Sequence, residues 1–150
     1  MTFTVLTIAE SLADYLAPVM PDVTFFEDPN QQGSVMPCAF LQQRYSYLEK
    51  RQAGRWLRRI GLDLTCLEDY NLPDLQQRYQ RTAEALDMAM ETFPYSDGTE
   101  TTLLRTYDRE WRIDLDALHY KFELQVWVSL PEDFNPMQTM DYSEEVSDGS

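Results

Sequence analysis

The chain predicts an α+β fold: one antiparallel sheet with a long projecting hairpin and two helices packed on one face. Three observations carry that expectation. Cys38 to Leu67 reads as two alternating arms about a polar turn at Arg51-Gln52-Ala53-Gly54. Two other stretches repeat apolar residues every three or four positions, the spacing of one helix face. Leu118, Tyr120, Phe122, Leu124, Val126, Val128 and Leu130 fall on one side of a strand, with His119, Lys121, Glu123, Gln125, Trp127 and Ser129 on the other.

The first helix is expected from about Thr4 to Val19, with Val5, Ile8, Leu12, Tyr15, Leu16 and Val19 as its stripe. Thr7 with Glu10 fits a capping box, and Thr4 competes as the cap. Pro18 and Pro21 end this helix. Val23 to Phe26 then reads as a short edge strand, and Glu27 to Gly33 as a turn-rich loop. In the second hairpin arm Trp56, Ile60, Leu62, Leu64 and Cys66 share one face, against Leu57, Arg59, Asp63 and Thr65. Glu68 to Asp74 read as the start of a second helix, with a proline and an acid in its first turn, expected to run to about Phe93 with Leu72, Leu75, Tyr79, Ala83, Leu86, Met90 and Phe93 on one side. Pro94 to Glu100 read as a turn, Thr102 to Glu110 as a strand, and Trp111 to Asp116 as a connection. Pro131 stops the last strand. Residues 1–130 therefore form one α+β domain, and 131–150 an acidic tail.

A chain of 150 residues can bury about 70% of its unfolded surface as a single domain. Its apolar runs fall short of a membrane span, and its N-terminus carries neither signal nor transit pattern, so assembly in the cytoplasm is expected. Cys38 and Cys66 close the outer ends of the two arms and are read as buried thiols, with a bridge between them left open. The net charge is −14, unevenly spread: all twelve bases lie between Arg44 and Lys121, while residues 131–150 hold six acids and no base. Such an acidic chain is poorly suited to wrapping nucleic acid, whose phosphates require cationic surface.

Six of the twelve bases crowd the hairpin: Arg44, Lys50, Arg51, Arg55, Arg58 and Arg59. A basic arm on an acidic body marks a contact with another protein. Phe134, Met137, Met140 and Tyr142 space large apolar side chains along the acidic tail, which makes it a second partner-binding segment. The parts of a catalytic site are missing from the sequence. His119 is the one histidine and lies on the polar strand face, and no nucleophile elbow, phosphate loop, HExxH or CxxC occurs. Neighbouring carboxylates such as Glu68-Asp69 sit on no buried face that would split their pKa values. No catalytic residue, metal site or cofactor is expected.

The order of these elements and several local phrases resemble the small tail terminator, or tail-completion, proteins of long-tailed and contractile phages and phage-derived particles. The phrases are Pro-Asp-Val-Thr-Phe-Phe-Glu (Pro21 to Glu27), Met-Pro-Cys-Ala-Phe-Leu (Met36 to Leu41) and the arginine-bearing Arg55 to Ile60. The helix Leu75 to Phe93 and the strand Tyr120 to Leu130, followed by an acidic Met-containing tail, complete the match. The resemblance implies a sheet flanked by two helices and six copies in a ring on the head-proximal end of a tail tube. Its implied partners are further copies of itself, the tube protein, the last sheath layer and the head connector, with no substrate turned over. A head–tail connector and a free cytoplasmic protein-binding adaptor are the alternatives.

Overall fold

The computed structural model describes residues 1–27 and 35–130. Two helices, α1 (Val5–Leu16) and α2 (Leu75–Ala89), accompany six strands: β1 (Thr24–Phe26), β2 (Cys38–Lys50), β3 (Trp56–Leu67), β4 (Thr92–Ser96), β5 (Thr101–Asp114) and β6 (Ala117–Val128). They form one sheet in the order β1-β2-β3-β6-β5-β4.

β3 and β6 are its spine. They pair antiparallel from Trp56 opposite Val128 to Leu67 opposite Ala117. Their inward residues, Ile60, Leu62, Leu64 and Cys66 facing Leu118, Tyr120, Phe122, Leu124 and Val126, belong to one buried cluster. The stripe of α1 (Ile8, Leu12, Leu16) and that of α2 (Tyr79, Ala83, Leu86) enter the same cluster. Each such side chain contributes about 1.5–3 kcal/mol by leaving water, so a single apolar face suffices to hold both helices to the sheet.

The structure corrects the sequence expectations at several points. α1 is capped by Thr4, as one of the two readings had it, with Thr4 and Thr7 capping each other reciprocally; the Thr7–Glu10 box does not form, and the helix ends at Leu16, short of the expected Val19. The sheet is mixed, since β1 runs parallel to β2 through Thr24 opposite Cys38 and Phe26 opposite Phe40. α2 stops at Ala89, and Phe93 lies in β4, where Phe93 and Tyr95 alternate inward with exposed Pro94 between them. A proline is tolerated there because β4 is the sheet edge, with no neighbour on one side among the described residues. β5 runs on through Trp111 to Asp114, where a connection was expected. It pairs first with β4 and then with β6, shifting register between Tyr107 and Glu110, where Asp108 takes a left-handed φ of 53°. That bulge curls the sheet.

The expected projecting hairpin is also revised. β2 and β3 pair antiparallel from Cys38 opposite Leu67 to Lys50 opposite Trp56. β6 accompanies β3 along that whole length, so the arm is built into the sheet and only the turn at Arg51–Arg55 passes beyond it. β1 covers only Cys38 to Phe40 of β2, which leaves Gln42–Lys50 as an open strand edge among the described residues.

Candidate interaction surface

The register gathers the cations at one end of the sheet. Segment 44–59 contains six bases and one acid, Glu49. The turn between β2 and β3 holds Ala53 and Gly54 at φ 63° and 72°, which reverses the chain tightly and places Lys50, Arg51 and Arg55 side by side. With Gln52, Ala53 and Trp127 they line an open cleft of about 680 Å³. The Arg55 guanidinium stacks 3.8 Å from the Trp127 ring centroid, and Lys50 Nζ lies 5.8 Å from that of Trp56. Arg51 pairs with Glu49 at 2.9 Å, Arg58 donates to the Ser46 hydroxyl at 2.9 Å, and Arg44 lies 5.4 Å from the Tyr45 ring. The aromatic rings orient the guanidinium groups without neutralising them.

Arg59 behaves differently from its neighbours. It lies on the sheet face away from the helices, where Nε and Nη2 donate to Glu123 at 2.9 and 3.1 Å. Tyr45 donates to the same carboxylate at 2.6 Å and Gln125 at 2.7 Å. Glu123 is only 1% exposed although it sits on the predicted wet face, with its carboxylate enclosed by four hydrogen bonds from these three side chains. Burial raises its pKa, and the donors from Arg59, Tyr45 and Gln125 together outweigh burial and bring it below 4.5. Tyr45 moves the other way, to about 12, through burial and its bond to Glu123. Its ring lies over Gly61, where a Cβ would come within 2.2 Å of it. A glycine is therefore required in the middle of this strand. Strand parity located Arg59 on the outer face, but nothing within β6 alone marks Glu123 as buried.

Farther along the same face, His119 Nδ1 lies 2.9 Å from Asp63, which also accepts from the Thr65 hydroxyl at 3.1 Å. Cys38 and Cys66 are free and buried, and burial pushes the Cys66 thiol up to about 12, out of the reactive range. The four apolar residues of the second expected contact, Phe134, Met137, Met140 and Tyr142, lie outside the described residues. Among the described residues no helix is long and apolar enough to cross a membrane.

The opposite end of the sheet carries the opposite sign. Segments 68–74 and 114–116 hold five acids and no base: Glu68, Asp69, Asp74, Asp114 and Asp116. Tyr79 ties them together, accepting from the Glu68 amide at 2.9 Å and donating to the Asp116 carbonyl. Arg78, Arg81 and Arg112 offset part of this charge, at 3.5 to 3.8 Å from Glu68, Asp74 and Asp114. The spine strands, twelve residues each, span roughly 40 Å between the two ends.

No protein-family model matches the chain, and no curated protein matches it.

Proposed function

We propose that this chain is a structural subunit of a phage-like tail, closing the head-proximal end of the tube as a ring and presenting a surface to the head connector. The resemblance of its sequence to tail terminators motivates the reading, and the α+β architecture with two helices on one sheet face is compatible with it. One observation supports the ring in particular: a cationic end at Lys50, Arg51, Arg55 and Arg58 lies opposite an acidic end around Glu68 and Asp114. A closed ring requires each subunit to offer two different, mutually complementary surfaces. In this reading the chain acts by fit and carries out no turnover. Asp63 and His119 hold neighbouring strands together, and the Arg55–Trp127 stack presents charge to a partner.

The test is native mass spectrometry of the natural chain and of the Arg55→Glu/Arg58→Glu variant, with and without purified tail tubes. The natural chain should form a ring and bind tube ends in preference to portal complexes, and the variant should lose both properties. Arg59 is left out of the variant because its reversal would break the buried pair with Glu123. A natural chain that stays monomeric at every concentration and ignores tubes would overturn the proposal in favour of a free adaptor.

A further inference from the structure

A cavity between α1 and the strands β1 and β2 takes no part in the cationic surface. It measures about 230 Å³, and its exposed lining consists of Glu10, Asp14 and Glu27. Leu12, Leu41 and Leu64 form its buried floor, and Phe25, Phe26 and Phe40 add aromatic residues to its wall. Ala9 and Ala13, one turn apart on α1, leave room that larger residues would fill. The charge around this cavity is of one sign. Residues 1–37 contain five acids and no base, and the first base in the chain is Arg44.

We propose that this cavity binds a small organic ammonium ion, its alkyl groups against the phenylalanines and leucines and its charge beside the three carboxylates. Size limits the ligand first. The space lies below the roughly 300–1,000 Å³ of pockets that hold drug-sized molecules, so it admits one compact group. The carboxylates set the sign, because acids beside apolar walls focus a negative potential that attracts cations and repels anions. The apolar floor then decides between kinds of cation. Calcium and magnesium need several oxygen ligands, and among the described residues no three acids, histidines or cysteines converge to hold a metal ion. An alkylated ammonium ion instead gains by moving its alkyl surface out of water, and aromatic rings attract its charge. Each kind of wall thus meets one part of the ligand. The proposal does not depend on the tail-tube reading, because an isolated subunit carries the whole cavity.

Titration of the full-length chain with choline, followed through the methyl NMR signals of Leu12, Leu41 and Leu64, tests this directly. Dimethylbutanol, the isostere with carbon in place of the charged nitrogen, controls for shape. Choline should shift these signals and bind at least about tenfold more tightly than the alcohol. The variant Glu10→Gln/Asp14→Asn/Glu27→Gln changes exposed positions only, and should weaken choline about tenfold while leaving the alcohol unaffected. Ala13→Leu fills the cavity with every charge in place, and should abolish binding of both. A peptide carrying trimethyllysine separates the sources: tighter binding than choline assigns the ion to a partner's side chain, weaker binding to a free cation, and both uphold the cation. Equal affinity for choline and the alcohol would overturn the proposal, as would no shift at about 50 mM choline. Choline binding that survives undiminished in the charge variant, or in folded Ala13→Leu, would overturn it as well.

Discussion

At the scale of single residues, the outer sheet face is decided by Glu123. A carboxylate 1% exposed is unfavourable unless its lone pairs are filled, and here four donors from Arg59, Tyr45 and Gln125 fill them. Removing the charge leaves the half-buried Arg59 guanidinium facing an amide where its carboxylate partner had been. Glu123→Gln should therefore cost about 2–3 kcal/mol in urea unfolding at neutral pH, whereas Arg58→Gln, whose partner is an exposed hydroxyl, should stay within about 0.5 kcal/mol. The folded pKa of Glu123 is lowered, so its stabilisation is complete above the ordinary value of 4.5 and is lost as pH falls through the folded value. The gap between the natural chain and Glu123→Gln should accordingly narrow below pH 4.5; a gap that stays constant under acid would refute the charged pair. Alternation along β3 and β6 was legible in the sequence and placed Arg59, Asp63, His119 and Glu123 on one face. Their partnerships were not, because they depend on the cross-strand register that sets Gly61 between Tyr45 and Glu123.

At the scale of elements, the sequence is most informative where one physical signal acts alone. β3, β6 and the α1 stripe have clean periods and were placed within a few residues. The end of α2 failed because two periods overlap: Leu86, Met90 and Phe93 continue the helix stripe, while Phe93 and Tyr95 begin a strand. The choice is made by β5, since the Thr106 amide donates to the Glu91 carbonyl and its hydroxyl to that of Met90, taking both acceptors out of the helix ladder. The parallel pairing of β1 was likewise hidden, because three residues carry no signal of direction. The β2–β3 turn was visible from its polar residues and Gly54, but its shape also forces Ala53 to a left-handed φ of 63°. That conformation costs a non-glycine residue about 1–2 kcal/mol, against roughly 0.5–1 kcal/mol of unfolded-chain entropy that glycine adds. Ala53→Gly should therefore raise stability slightly, by about 0.5 kcal/mol in thermal or urea unfolding, and leave any self-association unchanged because no charge moves. A loss of stability would show that the turn relaxes away from this geometry in solution.

At the scale of the whole molecule, a strongly acidic chain gathers cations at one end of a sheet and carboxylates at the other. Sequence reading identified the basic cluster but not its opposite, because 68–74 and 114–116 are far apart in the chain and meet only through the β3–β6 register and Tyr79. If the two ends meet in a ring, the contact is mainly electrostatic at long range and must weaken with salt. Going from about 0.1 M to about 1 M shortens the Debye length from roughly 10 Å to roughly 3 Å. Sedimentation velocity should then show the assembly dissociating, whereas one held by apolar surface would persist or tighten. Charge exchange is the sharper measurement. Arg55→Glu/Arg58→Glu alone should fail to assemble, and so should Asp69→Lys/Asp114→Lys alone. The chain carrying all four substitutions has both ends reversed and should close on itself again. Asp69 and Asp114 are exposed, and Arg58 is only partly covered, so these changes should leave the core intact. The fourfold variant returns to the natural net charge of −14, so the control combines Arg55→Glu/Arg58→Glu with Glu10→Lys/Asp14→Lys, two exposed positions of α1. Recovery with the Asp69/Asp114 pair but not with this control requires that the two ends touch across subunits; equal recovery in both would assign the defect to net charge.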